Sequence, residues 1–87
     1  MEVVLTKIAS IDYLFWKKNN PVVCKKINKL IEAIKQDPYR GIGKPEPLKH
    51  DFSGWWAREI TQEHRIVYRV SEHTLQILQL RYHYTKK

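Results

Sequence analysis

Residues 55–70, WWAREITQEHRIVYRV, carry the pattern that decides the fold. Ile66, Tyr68 and Val70 alternate with Val67 and Arg69, and β-branched and aromatic residues dominate, so residues 66–70 read as a strand. Residues 55–60 read as its partner across a polar turn at 61–64. A second turn at 71–73 leads into a third strand at 74–80. Strands joined by turns this short pair antiparallel.

Upstream, residues 3–5 form a short strand that Thr6 ends by capping a helix running through Tyr13 and Trp16. Asn20 caps a second helix with Pro21 in its first turn, where a missing amide proton is not needed. In that helix Val23, Ile27, Leu30, Ile31 and Ile34 recur at helical spacing, with Lys25, Lys26, Lys29 and Glu32 mostly opposite. This predicts one apolar stripe laid on a sheet and a solvated lysine face. Asp37 and Pro38 stop the helix, and residues 40–47 hold two glycines and two prolines, a constrained loop unsuited to a central strand. The expectation is an α+β domain over residues 1–87: an N-terminal strand and a two-helix hairpin packed on an antiparallel-rich, twisted sheet.

The 87 residues contain sixteen Lys and Arg against nine Asp and Glu, a formal charge of +7 that favours polyanionic partners. The charge is spread along the chain, +4 over residues 1–36 and +3 over residues 37–87. Cys24 is the single cysteine, which excludes an internal disulfide and a cysteine-rich zinc site. No run approaches the roughly 20 apolar residues that span a bilayer, and the N-terminus lacks the pattern of a secretion signal, so a cytoplasmic protein is expected.

Several side chains are candidates for chemistry. Glu46 lies between Pro45 and Pro47, which restrain the backbone on both sides and suit a placed base. Arg65 and Arg69 share one face of their strand, opposite Ile66 and Tyr68. That face reads either as solvated or as a phosphate-binding surface that Arg58 and Arg81 enlarge. In the closing RYHYTKK, His83 can exchange a proton near neutrality, and Tyr82 and Tyr84 point away from it if the strand continues. Cleavage of an RNA phosphodiester needs a base for the 2′-hydroxyl, an acid for the leaving oxygen and cations for the phosphorane; Glu46, His83, Lys49 and Arg65 match that list. Neither a carboxylate cluster for two magnesium ions nor a histidine pair at helical spacing is found, and zinc ligation by His50, His64 and His73 is not expected.

The segments GKPEPLKH, SGWWAREITQEHRIVYRV and RYHY closely resemble the YoeB (Txe) toxins of bacterial toxin–antitoxin modules, within the RelE/ParE superfamily, and the likeness covers nearly the whole chain. The resemblance implies a RelE-like fold and an mRNA endoribonuclease that cuts the message in the ribosomal A site without a cofactor. It implies Glu46 as general base, His83 as general acid, Arg65 as transition-state cation and Tyr84 as a substrate-orienting residue, with Lys49 at the phosphate. It further implies silencing by a YefM-like antitoxin, operator DNA contacted only through the antitoxin complex, and a homodimer. Glu59 departs from the second arginine that family members tend to carry beside Arg58, and residues 85–87 extend beyond the tyrosine that ends many relatives. The competing reading is a non-catalytic basic module on the same fold, either a ParE-like gyrase inhibitor or an RNA-binding domain.

Overall fold

The computed structural model of the chain describes residues 1–82. In chain order the elements are β1 (Glu2–Leu5), α1 (Lys7–Asn19), α2 (Pro21–Gln36), β2 (Glu46–Pro47), a 3₁₀ turn (His50–Phe52), β3 (Trp56–Glu59), β4 (Arg65–Ser71) and β5 (Thr74–Gln79). The five strands form one sheet in the order β1-β5-β4-β3-β2. β2, β3, β4 and β5 pair antiparallel in succession, while β1 lies parallel to β5 at the edge. The expected α+β architecture is thus the observed one.

The helix boundaries follow from local chemistry. Thr6 accepts a hydrogen bond from the Ala9 amide at 3.1 Å, and Asn20 accepts one from Val23 at 3.3 Å, so each helix starts on a capped amide. Pro21 sits in the first turn of α2. The periodic stripe of α2 is what is buried: Ile27, Leu30 and Ile34 are inaccessible and pack with Ile66, Tyr68, Leu75 and Ile77 of the sheet. The opposite sheet face carries a smaller cluster of Leu48, Ala57 and Val67 with Phe52, Trp55 and Leu78 around it. The sheet is therefore helix-covered on one side and half open on the other.

Two elements depart from expectation. Glu46 and Pro47 form a two-residue edge strand, pairing with Ala57 and Trp56. That is compatible with proline because an edge strand needs no donor on its outer side. At the other end β5 stops at Gln79, short of the expected Leu80, and Tyr82 adopts φ 63°. The strand alternation invoked for Tyr82 accordingly fails.

Arg58, expected on a phosphate-binding surface, is instead fully buried in the helix-side core. The pairing explains it: Arg58 stands opposite Ile66, and cross-strand partners share a face. Its Nε donates to Tyr68 Oη at 3.1 Å, Nη1 to the Ile42 carbonyl at 3.0 Å, and Nη2 to the carbonyls of Asp37 at 2.6 Å and Arg40 at 3.0 Å. Tyr68 Oη in turn donates to the Pro38 carbonyl at 2.5 Å. Burial pushes the Tyr68 phenol above its usual range, against a lowering contribution from Arg58, so it stays protonated and able to donate. The guanidinium thus ties residues 37–42 to the sheet.

Gly43 completes the tie. It has φ 84°, its carbonyl accepts from Glu59 N–H at 2.7 Å, and a Cβ there would lie 2.9 Å from Leu30 Cδ2 and 3.1 Å from Arg58 Cβ. Replacing Arg58 with Met should lower unfolding free energy by on the order of 3 kcal/mol, because buried carbonyls lose their donors. Arg58→Lys should recover little, since one ammonium cannot span acceptors arranged for a planar fork. Urea denaturation of both variants checks this; losses below about 1 kcal/mol would mean that the network does not hold the loop.

Candidate functional site

The open sheet face collects the chemistry-bearing residues. Along β4, Arg65, Val67 and Arg69 point to this side, with Val67 in the small apolar cluster and Arg69 stacked on Trp55 at 4.4 Å. Glu46 stands opposite Ala57, and Ala57 opposite Val67, so Glu46 flanks the same apolar floor. Arg65 is opposite Glu59, one pleat period from that row. Strand spacing and rise put the Glu46 and Arg65 backbones about 12 Å apart. Ala57 and Val67 lie between them on the sheet, and the Arg65 guanidinium is turned to the carbonyls of residues 61–64.

Glu46 and Lys49 are both exposed, and each is held through its backbone. β2 pairing fixes Glu46, and a Leu48 N–H bond to the Trp55 carbonyl at 2.9 Å fixes the turn that carries Lys49 into the 3₁₀ segment. Leu48 itself is buried beneath them. A rigid backbone with a solvated carboxylate is what a proton acceptor on a surface groove requires.

Arg65 is less free than its sequence position implied. Its Nη1 donates to the carbonyls of Thr61, Gln62 and His64 at 2.8, 3.1 and 3.1 Å, and its side chain is 14% exposed. Nη2 lies 3.6 Å from Glu59 Oε2, which is also 3.8 Å from Lys44 Nζ. Arg65 therefore organises the β3–β4 turn with one nitrogen and turns the other towards a carboxylate. Glu59 sits between two cations.

Arg81 does not extend the open face. Its guanidinium stacks over Phe15 of α1 at 3.7 Å and donates from Nη2 to Tyr82 Oη at 2.9 Å, on the helix side of the sheet. Its aromatic contact, like the burial of Arg58, comes from tertiary packing that alternation along a single strand does not reveal. His83 and Tyr84, the remaining expected site residues, lie outside the described residues.

One contributor went unnoticed in sequence. His64 Nδ1 accepts a hydrogen bond from the Tyr82 amide at 2.7 Å, which ties the β3–β4 turn to the end of the described chain. A turn histidine three residues after a threonine carries no local signal for such a contact.

Residues 5–84 match the family model described as the YoeB-like toxin of bacterial type II toxin–antitoxin systems. The Escherichia coli K12 toxin YoeB is 52% identical over 73 residues, covering 84% of this chain and 87% of that protein. A YoeB/ParE toxin from Agrobacterium tumefaciens superposes with a TM-score of 0.94 at 48% identity, covering 97% of this chain and all of the other (100%). The toxin in a YoeB–YefM complex from Staphylococcus aureus superposes with a TM-score of 0.90 at 38% identity, covering 97% of this chain and 98% of that one.

Glu59→Gln removes the carboxylate shared by Lys44 and Arg65 and so raises the effective positive charge of the open face. Its binding to a polyanion such as heparin should persist to higher salt, with the slope of log K against log salt steepened by up to about 1. An unchanged slope in a salt titration would mean that neither cation faces the bound polyanion.

Proposed function

Because the chain belongs to the YoeB-like toxins of bacterial type II toxin–antitoxin systems, we propose that it is a metal-independent, ribosome-dependent endoribonuclease that cuts mRNA in the A site and stops translation. The observation that carries this reading is the shared open face, on which Glu46 and Arg65 flank the apolar floor of Ala57 and Val67. A binding module would need the cations alone; a base placed rigidly across from them favours chemistry.

In the proposed reaction Glu46 takes the proton of the substrate's 2′-hydroxyl, and the 2′-oxygen attacks the adjacent phosphorus. Arg65 and Lys49 carry the charge that accumulates on the non-bridging oxygens. The bond from phosphorus to the 5′-oxygen breaks, His83 supplies the proton to that oxygen, and Tyr84 orients the substrate. The products are a 2′,3′-cyclic phosphate and a 5′-hydroxyl. Arg65 must swing its Nη2 from Glu59 to the phosphate, which exchanges one anion for another while Nη1 keeps its turn contacts.

The partners proposed are mRNA on the ribosome, a second copy of the chain and a YefM-like antitoxin, the last supported by the Staphylococcus aureus complex. Operator DNA would be met through the antitoxin complex only. A cytoplasmic site of action follows from the ribosome as partner.

Purified protein added to programmed ribosomes in excess chelator should cut the message, and Glu46→Gln and His83→Gln should each slow cutting by about 100-fold or more. Arg65→Lys should retain part of the turn contacts yet lose at least about 10-fold. Intact mRNA with folded wild-type protein would refute the nuclease, and undiminished rates in the variants would refute the assigned roles.

A further inference from the structure

Beyond Gln79 the chain leaves the sheet ladder, yet the backbone of Leu80 and Tyr82 is engaged from all sides. The Leu80 amide donates to Asp12 Oδ2 at 3.0 Å, and the Leu80 carbonyl accepts from Trp16 Nε1 at 2.9 Å. Asp12 and Trp16 stand four residues apart on α1, one above the other on the same helix face. Two residues on, the Tyr82 amide donates to His64 Nδ1 at 2.7 Å and its carbonyl accepts from the Arg65 amide at 3.1 Å. The His64 ring meets Trp16 edge-on with centroids 4.9 Å apart, so these contacts form one assembly.

Two features of this assembly are costly for a structure that merely needs a covered sheet. Asp12 is a carboxylate only 8% exposed, in a helix position where an apolar side chain would bury without desolvation cost. Tyr82 is held at φ 63°, a left-handed conformation that bulky residues avoid. Such strain persists only where surrounding contacts over-determine it, and an observed outlier of this kind points to function. Both costs fall on the segment from which His83 follows directly.

We propose that Asp12, Trp16 and His64 form a backbone clamp whose task is to position the chain entering His83, making them positioning residues for RNA cleavage. The inference rests on the nuclease reading above. A general acid is useful only if the backbone that carries it is held. A misplacement of about 1 Å costs roughly 100-fold in rate. Side chains from α1 and from the β3–β4 turn add to the one β4 backbone bond, from the Arg65 amide to the Tyr82 carbonyl, that still reaches this segment. His64 accepts through Nδ1, so the imidazole serves this contact as an acceptor.

The test pairs loss with restoration. Asp12→Ala and His64→Leu remove an acceptor, whereas Asp12→Asn and His64→Asn leave an amide oxygen close to where the acceptor was. On programmed ribosomes, Asp12→Ala and His64→Leu should lower kcat roughly 10- to 100-fold with KM within about twofold, and both asparagine variants should recover most of the rate. His64 lies on a turn, so His64→Leu is informative should Asp12→Ala fail to fold. Amide exchange at Leu80 and Tyr82 gives a readout independent of activity: slow in the wild type and faster in the loss variants. Unprotected wild-type amides, or loss variants that cut at the wild-type kcat, would overturn the clamp while leaving the nuclease intact. A wild type with protected amides that cuts no message would overturn the reaction that the clamp is proposed to serve.

Discussion

A single buried guanidinium holds the open face in shape. Arg58 projects from β3 into the helix-side core and donates to carbonyls of Asp37, Arg40 and Ile42, while its partner Tyr68 reaches Pro38. Hydrogen bonds from a charged group are each worth about 1.5–3 kcal/mol net. Burying the charge costs several kcal/mol. The two oppose each other, so the net gain is smaller than the bonds alone would give, while removing the arginine strips the loop carbonyls of their donors. What it contributes is geometry: the chain between α2 and β2 is pinned at successive carbonyls, and Glu46 emerges at the sheet edge in one register.

The two faces of the sheet divide the labour. On the helix side Ile27, Leu30 and Ile34 meet Ile66, Tyr68, Leu75 and Ile77 and provide the core. On the open side the floor is small and apolar, made of Ala57, Val67 and Leu48, and the charged groups stand around it. Such a floor lowers the local dielectric beneath Glu46 and Arg65 without walling off a large substrate. α1 serves both sides, since it packs on the sheet and also reaches with Thr6, Asp12 and Trp16 to the backbone of Leu78 and Leu80 at its end. Core, loop and residues 80–82 are thus tied to the same strands that carry the proposed site.

The most legible parts of the sequence were those governed by local periodicity. The stripe of α2, its Asn20 cap and the alternation of β4 depend on near neighbours, and the structure follows them. β2 was not legible, because Glu46 and Pro47, preceded by a further proline, carry no strand pattern and pair only once β3 is present. The parallel seat of β1 beside β5 is likewise a tertiary choice. Arg58 was not readable: a turn at residues 61–64 would set Ile60 against Arg65 and Arg58 against Val67, whereas the observed register sets Glu59 against Arg65 and Arg58 against Ile66. Alternation along β4 placed Arg65 and Arg69 together but left open whether their face was solvated or ligand-binding. Family likeness supplied the roles that physics alone could not, and the clamp around Leu80 and Tyr82 needed coordinates, since its members lie up to 68 positions apart in sequence.

The central claim is that the open face uses the RNA's own 2′-oxygen as the nucleophile. The direct test is a programmed ribosome carrying a message with one 2′-deoxy nucleotide immediately 5′ of the scissile phosphate. The account predicts that scission at that position disappears while an all-ribose message is cut to a 2′,3′-cyclic phosphate end. Cutting of the deoxy-substituted message at the ordinary rate would contradict it.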